Sequence, residues 1–187
     1  MMGGRKRVMM TQPTLFLMVG LPCTGKTTAA RRIEIECSAL RLTKDEWVKA
    51  LYGHENPPSA QDVIEGRLIE IGLRALELGN NVVIDFGLWS RDERSALRQA
   101  AADLGVPVEV CYFDLTPSEQ RRRLVQRLAE APHSTWPMSD EELAEWAASF
   151  EIPTPAELDG SGPIDDPPVG FATWSEWRTH RWPPSVS

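Results

Sequence analysis

The sequence is short of cysteine, and what it has is scattered. Cys23, Cys37 and Cys111 are its three cysteines in 187 residues. They show no paired spacing and no Cys/His metal pattern, which argues against a disulfide-stapled secreted scaffold and a structural zinc site. A reducing, cytoplasmic compartment is expected. Long apolar runs are missing as well: nothing approaches the roughly 18 residues a membrane helix needs, so no membrane association is expected. Positive charge is scarce. Against 27 Asp plus Glu stand 20 Lys plus Arg, for a net charge of −7, and the pI is near 5.1. Such a balance argues against wholesale binding of a nucleic-acid backbone, which usually leaves a basic footprint, though a local basic groove is compatible with it. There is no internal repeat and no coiled-coil heptad pattern. What remains, at 42% hydrophobic and 25% charged residues, is ordinary for one globular domain with a real core.

Residues 1–7 are basic and an apolar run follows at Leu15, the order seen in a signal peptide. That run leads straight into a glycine-rich loop with no small-residue cleavage site. Residues 1–13 therefore read as a flexible leader and 14–187 as a single domain. The loop itself, Gly20-Leu21-Pro22-Cys23-Thr24-Gly25-Lys26-Thr27-Thr28, fills every fixed position of the phosphate-binding pattern G-x-x-x-x-G-K-[ST]. Gly20 and Gly25 allow a tight turn and bring backbone N–H groups close to phosphate oxygens. Lys26 supplies a point charge for the β and γ phosphates, and the Thr27 hydroxyl can ligate Mg²⁺. The helix that begins near Lys26 adds its positive N-terminal dipole. Cys23 reads either as a reactive thiol beside the phosphates or as a small residue that fits the loop.

The rest of the chain alternates between strand and helix. Strands are expected over residues 14–19, 39–43, 81–86 and 107–115, with a short edge strand near Pro163-Ile164-Asp165. Helices are expected from Thr27, after Thr43, from Ala60, after Ser90, after Thr116, after Ser139 and after Thr173. T/S-x-x-E capping boxes are read at Thr43–Glu46, Ser90–Glu93, Thr116–Glu119 and Ser139–Glu142. In the helix from Ala60, the spacing of Ile64, Leu68, Ile71, Ala75 and Leu78 predicts one buried stripe. Beyond Ile152, prolines and glycines predict irregular structure. This alternation predicts an α/β fold, a parallel sheet with helices on both faces and ligands at the C-terminal ends of its strands.

That rule puts Asp45 and Asp85 on one rim with the loop. Asp45 reads either as a base accepting a proton from a hydroxyl that attacks the γ-phosphate, or as a complement to a helix dipole. Asp85, at the end of an apolar strand, suits a carboxylate holding Mg²⁺, or else a strand-end cap. Arg123 and Arg127, four apart on a basic helix, could address one phosphate group or pair with Glu119 and Glu130 on a solvated face. Trp47, Trp89 and Trp136 read as packing residues or as the walls of an acceptor site.

The loop, Lys44-Asp45-Glu46, Asp85-Phe86-Gly87, the run Arg122, Arg123, Leu124, Arg127, and Phe150-Glu151-x-Pro153 occur in a known order. In these the chain resembles the small P-loop kinases grouped with the polynucleotide-kinase 5′ domain, chloramphenicol phosphotransferase and zeta toxins, and most of all their bacterial "predicted kinase" branch. The resemblance implies a P-loop NTPase core of about five strands, a helical lid over residues 117–150, and an irregular Pro-rich part over 151–187. It implies ATP and Mg²⁺, with Asp45 as general base, Asp85 and Thr27 near the metal, Arg123 and Arg127 as lid arginines beside Lys26, and residues 150–153 bordering the adenine. The implied reaction is transfer of the γ-phosphate to a hydroxyl of a small molecule: a nucleoside, an antibiotic-like or a sugar-like acceptor. The alternatives are a nucleotide-dependent switch or adaptor, and a kinase of nucleic-acid 5′ ends. Against the latter, the arginine that follows the base by three residues in polynucleotide kinases is here Val48, with Lys49 beside it. Oligomeric state stays open between monomer and dimer.

Overall fold

Apolar runs too short for helices form the centre of the molecule. In the computed structural model, which describes residues 12–53, 55, 57–131 and 135–185, four strands make one parallel sheet. They are β1 (Leu15–Val19), β2 (Leu40–Thr43), β3 (Val82–Gly87) and β4 (Val108–Tyr112), in the order β2-β3-β1-β4. All five residues of β1 are buried, as a central strand covered on both faces requires. The expected fifth strand does not form among the described residues: residues 163–165 carry no strand, and Pro163 has no N–H to offer a ladder. The leader expected over 1–13 lies outside the described residues except for its last two.

Seven further segments are joined to α1 (Lys26–Glu36) in chain order: α2 (Lys44–Tyr52), α3 (Pro58–Glu77), α4 (Arg91–Asp103), α5 (Pro117–Glu130), α6 (Asp140–Ser149), α7 (Pro155–Leu158) and α8 (Trp174–Arg181). One apolar cluster, Phe16, Met18, Ala30, Ala39 and Val83, packs α1 on one face of the sheet. The larger cluster, on the other face, joins α3, α4 and α8 to Leu15, Leu17, Val82 and Ile84. None of the helices among the described residues is long and apolar enough to cross a membrane.

Two local expectations fail for physical reasons. In α3 the stripe is turned from its expected place: Ile71 is 46% and Leu78 60% exposed, whereas Glu65, Gly66, Ile69, Gly72 and Leu76 are buried with Ile64 and Leu68. The glycines favour that face: a Cβ on Gly66 would stand 3.0 Å from the Trp182 carbonyl oxygen, and one on Gly72 3.0 Å from Leu42 Cδ1, so a side chain there would have to push its neighbour back by a few tenths of an ångström. The Thr43–Glu46 capping box does not form either. Thr43 Oγ1 donates to Asp85 Oδ2 at 3.1 Å, and Glu46 turns to Arg41. The boxes at Ser90–Glu93 and Ser139–Glu142 do form. At Thr116 only the threonine half is made, Glu119 being drawn to Arg122 and Arg123.

The segment after Ile152 is more ordered than its prolines suggest. A third box, Thr154–Glu157, opens the single turn α7, and this segment is fastened to α4. Arg94, fully buried, donates through Nε to Glu157 Oε1 at 2.9 Å and through Nη1 to the carbonyls of Leu88 and Trp89 at 3.3 Å. Arg98 donates to the Gly162 carbonyl at 2.7 Å, and Arg91 pairs with Asp165 at 2.6 Å. Trp174, Trp177 and Trp182 then enter the main core, stacked edge to face at 5.5 and 5.8 Å.

Burial acts to raise the Glu157 carboxyl, but Arg94 and the Thr154 amide outweigh it and hold it below the usual range. A group so depressed stabilises the fold above its unfolded pKa and loses that contribution as pH falls through the folded value. Arg94→Met should therefore destabilise the protein by about 3–5 kcal/mol at pH 7, because it leaves a buried carboxylate unpaired. Urea unfolding should show the deficit shrinking as pH falls, because the variant's unpaired carboxyl takes up its proton first and the wild-type carboxyl, held below the usual range, only later.

Candidate nucleotide-binding site

The site grows from the register of the sheet. Thr43 lies opposite Asp85, and Val19 opposite Gly87, so β1, β2 and β3 deliver their last residues to one rim. The loop of residues 20–28 leaves β1 there and enters α1. Its turns need glycine: Gly20 has φ +148° and Gly25 φ +103°. A Cβ on Gly20 would stand 2.4 Å from the Phe113 carbonyl oxygen, and the Gly20 N–H donates to the Gly87 carbonyl at 3.0 Å. The start of the loop is thus wedged between the ends of β3 and β4. Inside it, Thr24 Oγ1 donates to the Leu21 carbonyl at 2.8 Å and Lys26 Nζ to the same oxygen at 2.6 Å. Cys23 also has a positive φ, 64°, and all three cysteines are free thiols.

Charge is concentrated on this rim. Burial pushes the Lys26 ammonium down to about 8, opposed by Asp85 and then Asp45. Burial likewise raises the Asp85 carboxyl, opposed by hydrogen bonds from Thr27 and Thr43 and by the Lys26 charge. Asp45, in the first turn of α2, is 57% exposed and within electrostatic reach of both. A desolvated lysine beside a desolvated carboxylate, with an open carboxylate near them, is suited to gripping an anion and handling a proton next to it.

The two arginines are separated. Arg123 turns to the loop: its Nη1 reaches the Thr24 carbonyl at 3.5 Å, while Nε donates to Glu119 at 2.9 Å. Gln120 adds a bond from Nε2 to the Pro22 carbonyl at 2.9 Å, which docks α5 on the loop. Arg127 lies within electrostatic reach of Lys49 on α2, whose ammonium is lowered first by burial and then by that arginine, against Asp45. Lys49 Nζ sits 4.3 Å from the centre of the Trp136 ring. Trp89 packs against Trp146 at 5.7 Å, Phe150 stacks on Tyr112 at 6.1 Å, and Trp47 stays about half exposed. Val48 is fully buried, so the position after Asp45 where polynucleotide kinases carry arginine points into the core.

Sequence reasoning missed three residues at this rim. Thr43 has the spacing of a helix cap, yet it holds Asp85. Lys44 donates to Gln61 Oε1 at 3.1 Å and pairs with Glu65 at 3.3 Å. Glu65 left one signal, a carboxylate within an apolar helix face.

A family model described as an AAA domain matches residues 15–153, from the first strand to the turn after α6. The chain belongs to this family. Among solved structures it is similar to a chain of the Pnkp1/Rnl/Hen1 RNA repair complex, with TM-score 0.63 and 17% identity over 87% of this chain and 50% of that one. It thus spans half the length of that relative. It is also similar to a gluconokinase from Sinorhizobium meliloti 1021, with TM-score 0.55 and 15% identity over 77% and 78% of the two chains. Kti12 of Chaetomium thermophilum, solved with ADP-AlF3, gives TM-score 0.58 and 18% identity over 91% and 95%. No curated protein matches. At these identities the likeness shows the fold alone, a P-loop NTPase fold, which with the loop of residues 20–28 implies nucleotide binding.

Gly20→Ala should push the loop off the Phe113 carbonyl and force an alanine to a positive φ. A loss of about 2 kcal/mol or more in stability, together with weakened nucleotide binding by calorimetry, is expected.

Proposed function

We propose that the protein is an ATP-dependent kinase that transfers the γ-phosphate to a hydroxyl of a small molecule. The observation that carries this reading is the placement of an exposed carboxylate, Asp45, within electrostatic reach of the loop lysine, Lys26. A nucleotide switch needs the lysine but has no use for that open carboxylate.

In this reading the backbone N–H groups of residues 20–28 and the dipole of α1 grip the phosphates, and Lys26 leaves the Leu21 carbonyl for the β and γ oxygens. Arg123, already at the loop, and Arg127 add positive charge over the transferring group as α5 and α6 act as a lid. Asp45 accepts the proton of the acceptor hydroxyl as that oxygen attacks. Phosphoryl transfer asks for positioning and charge more than for covalent help, which suits this set.

Mg²⁺ fits the residues present. Thr27 and Asp85 offer hard oxygen donors close enough for the threonine to lower the carboxyl's pKa. No cluster of three or more His, Cys, Asp or Glu exists among the described residues, and Mg²⁺ characteristically rests on one or two protein oxygens plus phosphate. Bound there, the ion neutralises charge on the phosphates. The free thiols and acidic surface accord with a cytoplasmic setting.

Lys26→Ala should abolish nucleotide turnover. Asp45→Asn should keep ATP affinity within about twofold while transfer falls by about 10² to 10⁴. Radiolabel transfer from ATP to a panel of alcohols measures this, and unchanged transfer by Asp45→Asn removes that residue from the mechanism.

A further inference from the structure

The α8 helix lies beyond the 15–153 family match, yet a short path of side-chain contacts joins it and the residue that follows it to the Asp45 side of the site. Lys44, the first residue of α2, stands next to Asp45 in the chain, with its Nζ 3.9 Å from Asp45 Oδ1. That ammonium is drawn the other way by two side chains of α3, Gln61 at 3.1 Å and Glu65 at 3.3 Å. Glu65 is buried, and its second oxygen accepts from Trp182 Nε1 at 2.9 Å, with Arg181 Nη2 at 3.6 Å. Arg181 is in turn anchored by Glu93 at 2.7 Å and Asp62 at 2.5 Å.

We propose that Glu65 is a positioning residue for phosphoryl transfer: one oxygen is held by α8, and the other keeps Lys44 from closing onto Asp45. This rests on the kinase reading above. A buried carboxylate is costly unless each oxygen is matched, and here Lys44 and the α8 side chains match one oxygen each. Were the Lys44 side of that match lost, the nearest anion for the ammonium is Asp45, 3.9 Å away. That contact is a loose ion pair at present, and a tighter one would occupy the oxygen that must take the acceptor's proton. The charged groups facing Glu65 are Lys44, Arg181 and Glu93, and those within reach of Asp45 are Lys44, Lys26, Lys49 and Asp85.

The test uses the full chain with Glu65→Gln, which keeps the shape and an acceptor for Trp182, and Trp182→Phe, which removes the indole N–H together with part of the ring's volume. Two readouts are taken: the rate at which Lys44 is acetylated by acetic anhydride, followed by mass spectrometry, and the kinetics of transfer. In Glu65→Gln, Lys44 should label several-fold faster and kcat should fall by about ten- to a hundredfold, with KM for ATP within about twofold. The acid limb of kcat/KM should move to lower pH, since a cation nearer Asp45 favours its ionised form; Lys44→Met should move it to higher pH. Trp182→Phe should give smaller changes in the same direction as Glu65→Gln. Unchanged labelling in Glu65→Gln overturns the proposal, and so does faster labelling with unchanged kcat. A fall in kcat with the acid limb unmoved in both Glu65→Gln and Lys44→Met also overturns it, as that marks general loosening. If the wild type transfers phosphate to no alcohol, the kinase reading fails, and the labelling arm still decides whether Glu65 holds Lys44.

Discussion

Everything at the rim depends on keeping an ammonium and a carboxylate within electrostatic reach of each other and largely out of water. Asp85 ends the buried strand β3, and Lys26 opens α1; each is desolvated and each partly offsets the other's cost. Such a pair survives only where further hydrogen bonds meet the remaining lone pairs and protons. Thr27 and Thr43 serve Asp85, and the Leu21 carbonyl serves Lys26. The strand order β2-β3-β1-β4 follows as a geometric need, since it sets Thr43 beside Asp85 and the loop beside both.

The loop was legible in the sequence because a phosphate-binding turn is a local object. Its glycines, lysine and threonine are fixed by backbone conformation within nine residues, so spacing suffices to find them. The strands were legible for a similar reason, as short apolar runs ended by turn residues. The fifth strand was expected near Pro163-Ile164-Asp165 from the residues and counted by the resemblance, and Pro163 stands against it.

What stayed hidden was set by distant partners. Thr43 carries all the marks of a helix cap, and only the pairing of β2 with β3 gives its hydroxyl a better acceptor. The apolar stripe of α3 was drawn through Ile71 and Leu78, whereas the helix turns Glu65, Gly66 and Gly72 inward because Trp182 and Leu42 approach there. Hydropathy does not see a glycine's contact surface or a carboxylate whose match lies 117 residues away. Arg94 and Glu157, 63 residues apart, escaped notice in the same way, and with them the order of the segment after Ile152.

The distribution of indoles has an optical consequence. Trp174 and Trp177 on α8 form a buried trio with Trp182 just after it, and Trp89 on the β3–α4 turn meets Trp146 on α6. Trp136 lies with its face to the Lys49 charge. Ring emission responds to neighbouring charge and to stacking, so a displacement of α6 against the sheet would alter one group of chromophores and leave the trio as an internal reference. The molecule thus carries its own pair of fluorescent gauges, one at the nucleotide rim and one at the far anchor.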